Sequence, residues 1–198
     1  AAIVLTEDFE GLGNTDTDTI DTYDKYPPNP GVEWVVASNG FGSSDQGANL
    51  IGTNNVWSFR YTNSGLTTAF EAIGALQAGW TYTVTFDATA DTAGATGGSV
   101  GFVTFDGAGT RNAFNGGGIS TNVSAVLTST SYTTGTSITL SYTADGSEGT
   151  LGQDVSLRFL GATTSSNIDN ITVTAVPEPT AALLGSLGVL LLLRRRRS

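Results

Sequence analysis

Carboxylates are the side chains of this chain whose number and type point to chemistry. Its 198 residues include 18 aspartates and glutamates but no histidine and no cysteine. Thiol chemistry, disulfides and every mechanism with a histidine general base are therefore excluded. What remains is the binding of hard cations such as Ca²⁺ by oxygen ligands, or acid–base catalysis by paired carboxylates.

The densest acidic run, DTDTIDTYD, matches a calcium-binding EF-hand loop only at its start. Asp16 and Asp18 have the spacing of the first two ligands, but Ile20 stands at the third ligand position. Asp21 replaces the glycine that the loop needs, and Pro27 stands where a glutamate would close it. The run therefore predicts an acidic surface loop.

Catalysis and nucleic-acid binding are both disfavoured. No pattern places two carboxylates on one strand face, as glycoside hydrolysis would require, and we expect no enzymatic activity. Residues 1–176 hold seventeen of the acids and only four cations, which gives a net charge of −13. Such a surface repels phosphate backbones, so we expect no nucleic-acid partner. The four cations are Lys25, Arg60, Arg111 and Arg158.

Two aromatic residues are candidate sugar platforms. Sugar sites place exposed aromatic faces beside polar groups. Tyr26 precedes Pro27-Pro28 in an expected loop, and Trp80 opens a strand after a turn. Trp34 and Trp57 lie within strand-like runs and are expected in the core.

Short strands must position these residues. In TYTVTFDA, the side chains of Tyr82, Val84 and Phe86 fall on one face and the threonines on the other. Residues 11–31 and 38–55 are rich in Asp, Asn and Gly and are interpreted as loops. With no convincing helix before residue 180, the pattern predicts an all-β sandwich of jelly-roll type over residues 1–176. About ten strands are predicted: 3–9, 33–37, 56–61, 67–73, 81–88, 99–105, 124–127, 137–142, 155–160 and 168–176.

Residues 177–198 form a separate segment. The triplet Pro177, Glu178 and Pro179 precedes an apolar run that predicts a short helix, and four arginines follow it. Such a positive cluster stays on the cytoplasmic side of a membrane. A helix over residues 181–193 would span ~20 Å against a hydrocarbon core ~30 Å thick, which favours a transient membrane anchor. The arginines are Arg194, Arg195, Arg196 and Arg197.

The order of triplet, apolar run and arginine block resembles the PEP-CTERM sorting signal of Gram-negative bacteria. This resemblance implies that exosortase, a membrane-embedded cysteine transpeptidase-like enzyme, recognises the Pro-Glu-Pro region and removes the helix. The body would then pass from the inner membrane to the cell surface or the extracellular matrix. The alternative is an ordinary C-terminal anchor that is never cut.

The body resembles galactose-binding-like jelly rolls and carbohydrate-binding modules in three short segments. These are DFEG at 8–11, QAGWTYTV at 77–84 and IDNITV at 168–173. The resemblance implies a structural Ca²⁺ between the first and last strands, with Glu10 and Asp169 as ligands and carbonyls completing the shell.

The expected function is a structural or adhesive role in an exported protein of the cell surface or biofilm matrix. A carbohydrate-binding module for exopolysaccharide is the first alternative. A self-assembling subunit of a surface layer or filament is the second. The expected partners are exosortase, exopolysaccharide and further copies of the chain.

Overall fold

Antiparallel strands make up the regular structure of the residues that can be described. The computed structural model describes residues 2–9, 25–29, 32–37, 46–51, 54–59, 65–68, 73–90, 97–105, 114–115, 118–119, 123–161 and 166–178, and side chains within 3–9, 73–89, 97–105, 123–161 and 166–178. The strands in these ranges are β1 (Ala2–Glu7), β2 (Lys25–Asn29), β3 (Val32–Ala37), β4 (Gln46–Ile51), β5 (Asn54–Phe59), β6 (Gly65–Thr68), β7 (Trp80–Ala90), β8 (Gly98–Phe105), β9 (Phe114–Asn115), β10 (Gly118–Ile119), β11 (Val123–Tyr132), β12 (Thr136–Thr143), β13 (Asp154–Gly161) and β14 (Ser166–Pro177).

The strands form two main sheets. The first has the order β12-β7-β14-β5-β4, and β1 also pairs with β14. The second has the order β11-β8-β13-β6-β3-β2, and β9 and β10 pair with each other. The predicted all-β sandwich of jelly-roll type is confirmed.

The core lies between the two sheets and follows the two-residue alternation of the strands. Phe86 of β7 lies at its centre, with its ring edge-on to Tyr132 and Phe159 of the second sheet at centroid distances of 5.1 and 5.0 Å. Tyr82 also points inward, and its hydroxyl donates to the Ala75 carbonyl at 3.0 Å. Other buried members are Leu5, Phe9, Val84, Val100, Phe102, Val155, Leu157, Ile168, Ile171 and Val173.

Two stretches that were predicted to be loops contain strands. Strand β2 lies within 11–31 and β4 lies within 38–55, so both predictions were wrong in part. Both strands are at the edges of their sheets. Edge strands tolerate residues such as Pro27 and Pro28, because one side needs no backbone donor. Tyr26 therefore lies in a strand and not in the loop that its prolines suggested.

Strand β14 reaches the start of the Pro-Glu-Pro triplet. Pro177 is the register partner of Trp80, and the Glu178 N–H donates to the Gly79 carbonyl at 2.6 Å. Pro179, the predicted helix and the four arginines lie outside the described residues. Within the described ranges, no helix is long and apolar enough to cross a bilayer.

Candidate functional site

Strand β13 carries apolar side chains on one face and polar side chains on the other. Leu157 and Phe159 belong to the core between the sheets. Because successive side chains of a strand point to opposite faces, Ser156 and Arg158 lie on the face that points away from this core. Both are nevertheless buried, with 0% and 4% of their surface exposed.

The Arg158 guanidinium is a buried cation whose hydrogen bonding is incomplete among the described residues. In the part of the chain that the structure describes, neither its Nε nor its Nη1 makes a hydrogen bond. Burial lowers the pKa of Arg158 from its ordinary value, but arginine stays charged at neutral pH. A buried charge without a partner destabilises a fold substantially. Arg158 is thus a candidate for holding a ligand that accepts hydrogen bonds.

Apolar side chains lie beside these donors. Ser156 is the register partner of Val103 on β8, and Val103, Phe105 and half-buried Val123 form a small cluster apart from the main core. Among the described residues, the Ser156 Oγ also lacks a hydrogen-bond partner. We refer to Ser156, Arg158, Val103 and Phe105 as the Arg158 face. Apolar walls with a few polar groups are typical of small-molecule and sugar sites.

A cavity of about 230 Å³ lies at a second place, where β14 changes partner. Strand β14 pairs first with β5, up to Ile168, and then with β1, from Ile171 onward. An irregularity in its pairing with β7 follows Asp169 at the same point. The lining residues are Thr6, Glu7, Asp8, Asn170, Ile171 and Thr172.

Two residues beside this cavity have a left-handed backbone. Phe9 has φ of 54° and Asn170 has φ of 51°, and no other non-glycine residue in the described ranges has a positive φ. The Phe9 N–H donates to Glu7 Oε1 at 2.8 Å, and the Asn170 N–H donates to Asp169 Oδ1 at 2.7 Å. Each buried carboxylate therefore holds the turn that follows it, and backbone strain of this kind concentrates at functional sites.

Of the two predicted calcium ligands, Asp169 lies among the described residues, where it is buried and precedes Asn170 of the cavity lining. Strand β1 pairs with β14 as the calcium prediction requires. Glu10, however, lies outside the described residues. No group of three or more acidic residues within the described ranges could hold a metal ion by itself. The oxygens of Asp169 and Glu7 suit Ca²⁺ chemically, and the calcium site stays a prediction.

The predicted sugar platforms are not brought together with the Arg158 face. Trp80 is half-buried and packs against the main core, where its neighbour across the sheet is Pro177. Tyr26 pairs with Trp34 through its backbone in β2, and its side chain lies outside the described ones. Sugar binding by either residue stays a prediction.

Sequence reasoning missed Arg158, Ser156 and Glu7 as site residues. The signal for Arg158 was present, since it interrupts the apolar run VSLRFL at a position that alternates away from Leu157. Alternation does not show that the outward face is buried, and without burial an outward arginine is an ordinary surface residue.

Comparisons with known proteins identify the fold. No protein-family model matches the chain, and no curated protein matches it. A cyclase from Fischerella sp. TAU, solved in complex with 4-(1H-indol-3-yl)butan-2-one, is similar with 19% identity and a TM-score of 0.54, over 90% of this chain and 99% of that one. The Stig cyclase Fisc from the same organism is similar with 16% identity and a TM-score of 0.51, over 89% and 100%. At these identities the likeness establishes the sandwich fold alone. A CBM4 carbohydrate-binding module matches at 16% identity and a TM-score of 0.48, over 82% of this chain and all of that one.

Proposed function

We propose that residues 1–176 are the glycan-binding domain of an exported protein and give it an adhesive role at the cell surface or in the extracellular matrix. The observation that supports this is the Arg158 face, where buried donors without described partners adjoin apolar side chains. A sugar offers hydroxyl oxygens to the Arg158 N–H groups and C–H surface to Val103 and Phe105. The same face has no nucleophile–base pair among its four residues, so the proposal is binding without catalysis.

Burial of the Arg158 face shapes the expected kinetics. Arg158 is 4% exposed, so a ligand reaches its guanidinium only when this region opens locally. Association that requires a conformational change is slower than the association of preformed surfaces. We therefore expect slow association and, because the donors find their missing partners, slow dissociation.

A glycan array and titration calorimetry with the purified protein test the proposal. Arg158→Gln should weaken glycan binding by at least about tenfold, because a hydrogen bond to a charged group contributes roughly 1.5–3 kcal/mol. Thr130→Glu makes the same change in net charge at an exposed position of β11 and should leave binding unchanged. If Trp80→Ala or Tyr26→Ala abolishes binding while Arg158→Gln does not, the glycan binds at another surface and the proposal is wrong.

Delivery to the surface would use residues 177–198 as a PEP-CTERM signal that exosortase cuts. The support is the order of Pro177-Glu178-Pro179, apolar run and arginine block. The intact mass of the protein from its native cells is the measurement. A mass that lacks the arginine block supports processing, whereas full-length protein as the main surface species would indicate an uncut anchor.

Calcium would act as a structural ion where β1 meets β14. The support is the pairing of β1 with β14 next to the buried Asp169. Added Ca²⁺ at about a hundred times its Kd should stabilise the fold by about 2.7 kcal/mol, and EDTA should reverse the effect. Asp169→Asn should abolish this response and Asp145→Asn, in an exposed turn, should not. A melting temperature unchanged by Ca²⁺ and by EDTA would exclude the site.

A further inference from the structure

A row of threonines crosses four strands on the outward face of the first sheet. Thr172 of β14 is the register partner of Thr6 on β1 and of Thr85 on β7. Thr85 is in turn the partner of Thr139 on β12. All four side chains are exposed or half-buried.

Two further rows lie parallel to the first. Thr174, Thr83 and Ser141 form the second row, and Thr81 and Thr143 belong to the third. Hydroxyl-bearing residues thus repeat about every 4.7–4.9 Å across the strands and about every 6.6–6.8 Å along each strand. We refer to these nine residues as the hydroxyl lattice.

The hydroxyl lattice is kept rigid by hydrogen bonds between its own side chains and by the packed core on the other side of the sheet. The side-chain oxygens of Thr81 and Thr143 are 2.8 Å apart, as are those of Thr83 and Ser141. The alternate residues of β7, including Phe86, are fixed in the core. Threonine also has few χ1 rotamers. Little conformational entropy is left to lose when the hydroxyl lattice binds a ligand.

No residue of the hydroxyl lattice is charged, although residues 1–176 carry a net charge of −13. Charged side chains border it. Asp87 lies beyond Thr85 on β7, and Asp8 lines the cavity together with Thr6 and Thr172. The Asp87 carboxylate accepts hydrogen bonds from the Ser137 hydroxyl and from Asn170 Nδ2. Away from the cavity, the lattice residues on β7 and β12, together with Thr174, form a neutral patch that suits a ligand that is itself neutral and periodic.

We propose that the hydroxyl lattice binds ice. Each threonine presents a hydroxyl that can take the place of a water in the ice surface and a methyl group that orders the water around it. The two repeats of the hydroxyl lattice are close to the oxygen repeats on faces of hexagonal ice. This activity is independent of glycan binding, which the Arg158 face on the other sheet supports.

Other occupants fit the hydroxyl lattice less well. Sugar sites are concave and rich in aromatic or other apolar side chains, and none of the nine residues is aromatic. The hydroxyl lattice measures about 14 Å by about 14 Å, from three strand spacings and two steps along a strand. A stable dimer buries about 800 Å² per partner, several times the roughly 200 Å² available here.

The twist of the sheet and the small area of the hydroxyl lattice determine how strongly it should adsorb to ice. Neighbouring strands rotate by about 20–25°, so the match to a flat ice face is best over the three adjacent strands β14, β7 and β12. We therefore expect the protein to adsorb weakly to ice. Weak adsorption is sufficient to slow recrystallisation, in which large ice grains grow while small ones shrink. We expect inhibition of ice recrystallisation with little depression of the freezing point.

The test measures the growth of ice grains in a frozen film of a solution of the full-length protein. The film is annealed just below the melting point of the ice. Thr85→Lys places a charge in the first row of the hydroxyl lattice and should raise the inhibitory concentration roughly tenfold. Thr130→Lys adds the same charge on the exposed part of β11 and should leave it unchanged. Ser141→Thr supplies a missing methyl group and should lower the inhibitory concentration. Circular dichroism melts confirm that each variant is folded.

Three results would overturn the assignment. Wild-type protein that leaves grain growth unchanged is the first, and equal loss of activity in Thr85→Lys and Thr130→Lys is the second. The third is glycan binding that depends on Thr85 without any effect on ice, which would make the hydroxyl lattice a polysaccharide surface.

Discussion

The outward faces of the two sheets follow the same two-residue alternation and yet differ in burial, charge and hydrogen bonding. On the first sheet, the hydroxyl lattice is uncharged, and pairs such as Thr83 and Ser141 bond to each other at the surface. On the second sheet, Ser156 and Arg158 are buried, and the Ser156 Oγ and the Nε and Nη1 of Arg158 have no partner among the described residues. The outward face of the first sheet is open to solvent and its hydroxyls make hydrogen bonds. The Arg158 face is buried and has donors without a described partner.

This difference separates two ways in which a sandwich can bind. An exposed hydroxyl exchanges water for ligand at little net gain, so the hydroxyl lattice acts only through many regularly spaced groups. A buried donor without a partner carries a free-energy penalty that a ligand relieves. The Arg158 face can therefore recognise a single small feature of a ligand. The four predictions below test this comparison.

The largest effect concerns the core that both faces share. Phe86→Ala should lower the free energy of unfolding by about 3–5 kcal/mol, because the ring joins β7 to Tyr132 and Phe159 of the other sheet. Urea unfolding measures this loss. In a double-mutant cycle with Phe159→Ala, coupling of about 0.5–1.5 kcal/mol is expected. Additive losses would mean that the two sheets are not coupled through these rings.

Alkaline pH tests the same core through a buried hydroxyl. Burial raises the pKa of Tyr132 to about 12, whereas a tyrosine in the unfolded chain has a pKa of about 10. Below pH 10 both states keep the proton. Between about pH 10 and 12 only the unfolded chain loses it, so the free energy of unfolding falls by about 2–3 kcal/mol. Urea melts of wild type and Tyr132→Phe across this range measure the effect. A decline of equal size in Tyr132→Phe would assign the alkaline loss to other groups.

Strict alternation of apolar and polar residues was the sequence feature that predicted strands well. The run TYTVTFDA predicted strand 81–88 and its inward Tyr82, Val84 and Phe86, which β7 confirms. Strand β4 was missed because QGANLI has no alternation to detect, and an edge strand needs only one neighbour. The outward threonines of β7 were visible in the sequence, but their alignment into rows depends on the register with β12 and β14.

The candidate sites depend on pairing over long distances in sequence. Local patterns do not determine which strands become neighbours, so Thr6 and Thr172 could not be placed side by side in advance. The resemblance to jelly rolls did predict that the first and last strands meet, and Asp169 lies there. The unsatisfied state of Arg158 depends on burial of a whole sheet face, which no short segment encodes.

Arg158→Met should stabilise the protein while it removes glycan binding. Methionine keeps the length and flexibility of the side chain but needs no hydrogen bonds. Replacing buried charged groups by apolar ones often stabilises a fold, here by about 2 kcal/mol. Thermal and urea melts measure the gain, and Thr130→Glu, at an exposed position of β11, serves as the control for the change in net charge. Destabilisation by Arg158→Met would show that the guanidinium has a structural partner, and the two faces would then be equally satisfied.

The smallest effect is expected on the hydroxyl lattice, where Thr81→Val removes one hydroxyl of the pair with Thr143. Valine has the same shape and a similar preference for strands, and the bond lies at the surface, where water replaces the lost partner. The free energy of unfolding should change by less than about 0.5 kcal/mol. Thr130→Val, outside the hydroxyl lattice, is the matched control in the same urea melts. A loss above about 1.5 kcal/mol for Thr81→Val alone would mean that these hydroxyls hold the sheet together. The regular rows would then be explained by stability, and the contrast with the Arg158 face would no longer indicate a binding surface.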